Sequence, residues 1–171
     1  MKNVSKFLIT KLSILAIYQI IGGVIEIILT IYVMTTAVTF SLLLITILIV
    51  IFGLYSYSIL CGVLIFKSPL TGLKYSLINQ YIQILSFSIV GYGYKYLSGL
   101  YISVELDLGN LPSFQLQGGI STWNINFKNA LEIKTVGINF IAILLILFVD
   151  RQINILKVKA IDNSINELGE N

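Results

Sequence analysis

Histidine is absent from this chain, cysteine occurs once, proline twice, and charged side chains make up only 11% of the 171 residues. Each shortage excludes a chemistry. Without histidine there is no imidazole metal site, no His-based catalytic triad and no histidine pH switch within the chain. With Cys61 alone there is no internal disulfide and no multi-cysteine zinc site. A net charge of +3, with no basic groove-reading element, argues against nucleic-acid binding. Soluble domains carry roughly 25% charged residues, and disordered chains are poor in apolar ones. Neither description fits a chain that is 57% hydrophobic with a mean hydropathy of +0.92. The surplus apolar surface must face lipid.

Four apolar runs stand out, about 12–33, 38–66, 73–93 and 135–149. The first follows a basic tip, Lys2, Lys6 and Lys11, as a secretory signal would. It exceeds the roughly 7–15 residues of a signal core and lacks a small-x-small cleavage site, so a retained anchor is expected. The second is longer than the roughly 20 residues that span a bilayer, and Lys67-Ser68-Pro69 ends it. There Ser68 is expected to cap the next helix, with Pro69 in its first turn. The pattern predicts an all-α membrane protein, a four-transmembrane-helix bundle forming one integral domain over residues 1–171. Eight of the eleven basic residues (Lys2, Lys6, Lys11, Lys67, Lys74, Arg151, Lys157 and Lys159) then fall on one side. The positive-inside rule makes that side, and both termini, cytoplasmic. Richness in Ile, Asn, Lys and Tyr suggests a bacterial cytoplasmic membrane.

Between the third and fourth runs, at about 94–134, the period changes. Ile102, Val104, Leu106 and Leu108 alternate with Ser103, Glu105 and Asp107, and similar alternation recurs around Phe114–Gln117 and Thr122–Phe127. Period two marks half-buried strands. With turns at Gly109-Asn110-Leu111-Pro112 and Gly118-Gly119, this predicts a small external antiparallel three-stranded β-meander over about 101–108, 113–117 and 121–127. Its apolar face is expected to rest on the bundle, because so small a sheet is marginal alone. Trp123, Glu105, Asp107, Gln115 and Gln117 would form the surface of this cap.

Glu26 is the most unusual residue. A carboxylate in a span costs about 2.5–3.5 kcal/mol at the bilayer centre and less toward the interface. It must therefore face protein or water, or stay protonated. Gln19, Gly22, Gly23 and Glu26 share one helical face. The third run offers Ser76, Asn79, Gln80, Gln83 and Ser86 at helical spacing. By depth, Gln83 matches Gln19, while Thr46 and Asn139 match Glu26. Glu26, Gln19, Gln83, Asn79, Thr46 and Asn139 thus form a candidate intramembrane polar site.

After Asp150 and Arg151, residues 150–171 read as a cytoplasmic tail continuing the fourth helix along the membrane surface. Ser164 and Glu167 have capping-box spacing. No cofactor or metal site is expected, and no enzymatic activity. The partners implied are the lipid bilayer and a membrane protein partner or a homo-oligomer. The expected role is a non-enzymatic accessory, immunity- or effector-like, or scaffold subunit acting through its cap and helix faces. The alternative is a subunit of a homo-oligomeric channel or proton-coupled transporter using Glu26.

Overall fold

A computed structural model describes residues 6–36, 41–89, 92–109, 111–126 and 134–169. Two long helices come first, α1 (Lys6–Thr36) and α2 (Leu42–Lys67). Ser41 starts α2, its hydroxyl accepting from the Leu44 N–H at 3.2 Å. The Ser68 N–H closes the helix onto the Leu64 carbonyl at 2.7 Å. Pro69 then opens α3 (Pro69–Ile82), at a position where its missing N–H is no loss. The Ser68 side chain does not cap α3 as expected. It bonds the Thr71 hydroxyl instead, and the turn closes through the backbone, Gly72 N–H to Ser68 carbonyl, 2.8 Å.

Strands follow: β1 (Leu85–Ile89), β2 (Tyr92–Asp107), β3 (Ser113–Asn126) and β4 (Thr135–Asn139). Asn139 then caps the last helix, α4 (Phe140–Gly169), its Oδ1 accepting from the Ile141 N–H at 3.1 Å. The sheet is antiparallel in the order β1-β4-β2-β3. One edge of β2 pairs with β3 along its length, Gly93↔Asn126 to Asp107↔Ser113. The other edge is divided. Its start pairs with β1 (Phe87↔Tyr94) and its end with β4 (Leu106↔Val136), while β1 and β4 pair with each other (Ser86↔Gly137).

These pairings close a ring, which requires β2 to bend. Lys95 and Glu105 are ten residues apart, about 33 Å along a straight strand, yet their side chains meet at 2.6 Å. The bend lies where the register with β3 shifts, between Leu97 and Leu100. Gly99 sits there with φ +88°, a conformation that costs L-residues.

Two apolar clusters support the fold. Leu8, Leu12, Leu15 and Ala16 of α1 meet Ile65, Leu73, Val149 and Ile153 at one end. Ile47, Ile51 and Tyr55 of α2 meet Tyr96 and Ile125 of the sheet at the other.

This architecture corrects the expected four-span bundle with a three-stranded meander. Among the described residues only α1, over Leu8–Thr35, and α2, over Leu42–Lys67, are long and apolar enough to cross a membrane. The third run stops being helical at Ile82, where Ser86 and Ser88 begin to alternate with Phe87 and Ile89. That leaves α3 with 14 residues, about 21 Å against a hydrocarbon core of about 30 Å. The fourth run is a strand up to Asn139, and the apolar part of α4 ends at Val149, before Asp150 and Arg151.

The sheet has four strands because these two run ends join it. The first predicted strand starts nine residues earlier than expected, and the second and third are one strand. Gly118-Gly119 is not a turn. A Cβ on Gly119 would lie 3.2 Å from the Tyr101 ring, so the glycine makes room across the strand pair. The helix α4 also runs through Ser164 and Glu167 without a new start. Expectations at Val38, Asn110 and Phe127 lie outside the described residues.

Candidate functional site

The face of α1 carrying Gln19, Glu26 and Thr30 is buried, at 0, 4 and 0% exposure. Two glycines let other backbones approach it. A Cβ on Gly23 would lie 2.8 Å from the Tyr55 carbonyl of α2, and one on Gly22 would lie 2.5 Å from the Gly99 nitrogen of β2. Helix, helix and strand therefore converge on one line.

Along that line runs a seam of uncharged polar groups. The Ser58 hydroxyl donates to the Gln19 carbonyl and accepts from Asn79 Nδ2 and from Ser98, all within 3.0–3.2 Å. Ser76 donates to Gln19 Oε1 at 3.0 Å. The Tyr96 hydroxyl lies 2.9 Å from the Leu54 carbonyl and 3.1 Å from Asn79 Oδ1. Gln83 Oε1 accepts from the Ser98 N–H at 2.8 Å. Ser121 accepts from the Gly99 N–H and donates to the Gly22 carbonyl. Tyr55 reaches the Leu97 and Thr122 carbonyls. The seam fastens the sheet to the helices through groups that would otherwise be buried unpaired, at about 1–3 kcal/mol each.

Of the six residues expected together, Gln19, Asn79 and Gln83 are joined through Ser58 and Ser98. Glu26 is on the same buried face, and its Oε2 has no protein partner among the described residues. Thr46 and Asn139 do not join it. Thr46 is exposed and bonds back to the Leu42 carbonyl, while Asn139 caps α4. Gln19 Nε2, Gln83 Nε2 and both amide atoms of Gln80 are also buried without partners.

The second notable region is the strand ring. Ser86, Gly137 and Glu105 lie side by side across β1, β4 and β2, and a Cβ on Gly137 would meet Ser86 Oγ and the Glu105 side chain. Lys95 Nζ bonds Glu105 Oε1 and Gln117 Oε1, each at 2.6 Å, and Gln117 Nε2 donates to Glu105 Oε2 at 2.9 Å. Lys95 also lies over the Tyr101 ring.

The face bearing Ser86, Ser103 and Glu105 is buried. The opposite face carries Leu85, Phe87, Leu100, Ile102, Phe114 and Leu116, all exposed. Around these residues the expected orientation is therefore reversed, with the polar face inward and the apolar face outward, whereas Tyr96 and Ile125 keep the expected apolar contact with the helices. Asp107 Oδ1 accepts from the Gly109 N–H at 2.8 Å. Gln115 is exposed, and Trp123 leans inward, its Nε1–H donating to Thr30 Oγ1 at 3.2 Å.

Sequence reasoning missed Ser58, Tyr55, Tyr96, Ser98, Ser121 and Lys95. Tyr55, Ser58 and Gly62 recur at helical spacing in the second run, a signal of an inward face. The other four depend on the bend of β2, which no local pattern announces. Among the described residues no three His, Cys, Asp or Glu side chains gather as a metal site would require. The chain matches no known protein-family model, no curated protein and no solved structure.

Proposed function

We propose that the protein is a non-enzymatic membrane subunit in which α1 and α2 cross the bilayer and the apolar outside of the strand ring docks a second membrane protein. The reversed part of the sheet, with its apolar side chains outward, is the observation that carries this reading. Leu100, Ile102, Phe114, Leu116 and Ile120 are 48–78% exposed. Burying such side chains contributes about 1.5–3 kcal/mol each, so scaling to the exposed fraction leaves roughly 5–9 kcal/mol unrealised. That is comparable with the whole stability of a domain, about 5–15 kcal/mol.

Depth along α1 supports the same reading. Tyr18, Gly22 and Thr30 hold the sheet, and they lie about 10, 16 and 28 Å beyond Lys11 at 1.5 Å per residue. A hydrocarbon core of about 30 Å contains all three. Lipid satisfies the apolar face but not a free strand edge. Among the described residues no strand pairs with the outer edge of β3. A partner protein covers that edge by pairing or packing. Lys11, Lys67, Arg151 and Lys159 line grooves at one end of the molecule, and that end is cytoplasmic by the positive-inside rule.

A photo-crosslinking residue at Leu116 tests the reading in the native membrane. A discrete adduct with another membrane protein is expected there, and none from the same probe at Leu147 on α4, which is 64% exposed. Lipid adducts alone at both positions would refute a docked partner. The unpartnered Glu26 Oε2 favours a second reading, a homo-oligomeric channel or proton-coupled transporter. An adduct of two identical chains, with a proton flux abolished by Glu26→Gln, would establish it instead.

A further inference from the structure

Two adjoining cavities lie between α1 and α4, and the second reaches up to Tyr18 below the sheet. The first, about 250 Å³, is lined by Lys11, Arg151, Lys159 and Gln152, with Leu8 and Ile155 among its apolar walls. The second, about 330 Å³, is lined by Ile14, Leu15, Tyr18 and Leu145. Lys11 and Phe148 border both, so a cationic mouth leads into an apolar body. Among the described residues no carboxylate lines either cavity, and Asp150 and Asp162 lie in a neighbouring groove that shares Arg151 and Lys159. Among the described residues no ion pair joins Arg151 or Lys159 to an acidic side chain.

Gln152 adds a second requirement. It is 2% exposed, and its Oε1, a pure acceptor, has no partner among the described residues. An occupant must therefore bring negative charge, a hydrogen-bond donor and an apolar tail. The mouth also stands at the right level. Lys11 lies in the first turn of the membrane-crossing stretch of α1, Leu8–Thr35, which places it near lipid headgroups, and Arg151 and Lys159 line the same cavity with it.

We propose that this groove binds one anionic phospholipid with a hydroxylated headgroup. Its phosphate lies among Lys11, Arg151 and Lys159, a headgroup hydroxyl donates to Gln152 Oε1, and an acyl chain runs along Leu15, Tyr18 and Leu145. The inference rests on the membrane placement of α1 alone and not on the docked partner, so failure of either leaves the other standing.

Native mass spectrometry of the full chain in detergent micelles, doped with phosphatidylglycerol or phosphatidylcholine of identical chains, tests it. One phosphatidylglycerol is expected to survive release from the micelle while phosphatidylcholine is lost. The double variant Arg151→Gln/Lys159→Gln is expected to weaken retention by about tenfold or more, at roughly 1 kcal/mol per cation near a headgroup. Lys157→Gln, exposed on α4 and outside both cavities, is expected to leave it unchanged. Thermal unfolding of each variant confirms that the fold is kept.

Equal retention of the two lipids would overturn the proposal, as would an equal loss with Lys157→Gln. Displacement by inorganic phosphate at the same concentration would reassign the groove to a soluble anion and overturn the lipid assignment.

Discussion

Replacing Gly99 by alanine attacks the point on which the ring closes. At φ +88° an L-residue pays about 1–2 kcal/mol for a left-handed backbone. The new Cβ also meets the Tyr18 ring, with Cε2 only 2.7 Å away. Displacing a packed ring costs about 1–3 kcal/mol. The displaced hydroxyl gives up its 2.8 Å bond to the Leu100 carbonyl, about 1 kcal/mol more. The sum is roughly 3–6 kcal/mol. For a chain of this size each kcal/mol lowers the midpoint by about 2–4 °C, which predicts a drop of roughly 6–24 °C in detergent.

Trp123 is the only tryptophan and joins the sheet to α1 through Thr30. Its fluorescence therefore reports the docked sheet directly. Gly53 is the control, because a Cβ there meets nothing within 4 Å. Gly53→Ala is expected to be neutral or to stabilise by up to about 1 kcal/mol. If Gly99→Ala melts within about 2 °C of the unaltered protein, the bend is not held as described and the closed ring is wrong.

Two further substitutions probe the polar interior. Lys95→Met leaves Glu105 with Gln117 alone; the pair is 17 and 12% exposed, so the loss is about 1–3 kcal/mol rather than the 3–5 of a fully buried pair. Lys95→Met/Glu105→Leu is expected to recover most of it in a thermal double-mutant cycle, and additive losses would show that the two side chains do not interact. Glu26→Gln keeps size and shape, so its midpoint should stay within about 1 kcal/mol of the unaltered protein and proton flux into proteoliposomes should not change. A collapse of flux would turn Glu26 from a packing residue into a transport one.

How much of this was readable from sequence depends on which contacts are local. The helices α1 and α2 and the alternation across β2 and β3 follow from periods of 3.6 and 2 within single segments. The buried face of α1 could be read from Gln19 and Glu26, which cannot face lipid cheaply. The third and fourth runs misled for a physical reason. Leu85, Phe87, Ile89 and Ile138 are apolar because they point outward from a strand, and a lipid-facing helix asks for the same composition. Five-residue strands such as β1 and β4 also hold too few repeats to separate one period from another. The bend at Gly99 rests on partners from α1 and β3, far away in the chain.

The bond from Ser121 to the Gly22 carbonyl joins residues 99 positions apart. On a ribosome adding about 5–20 residues per second, roughly 5–20 s separate the synthesis of the two. For that interval α1 has neither Ser121 nor Trp123 to receive it, and Ser58 and Ser76 emerge only part-way through. Gln19 and Glu26 must therefore be sheltered by water, an insertase or a neighbouring protein while the rest of the chain is made. Nascent chains arrested before residue 121 should stay bound to such a chaperone, whereas those extended past β4 should leave it.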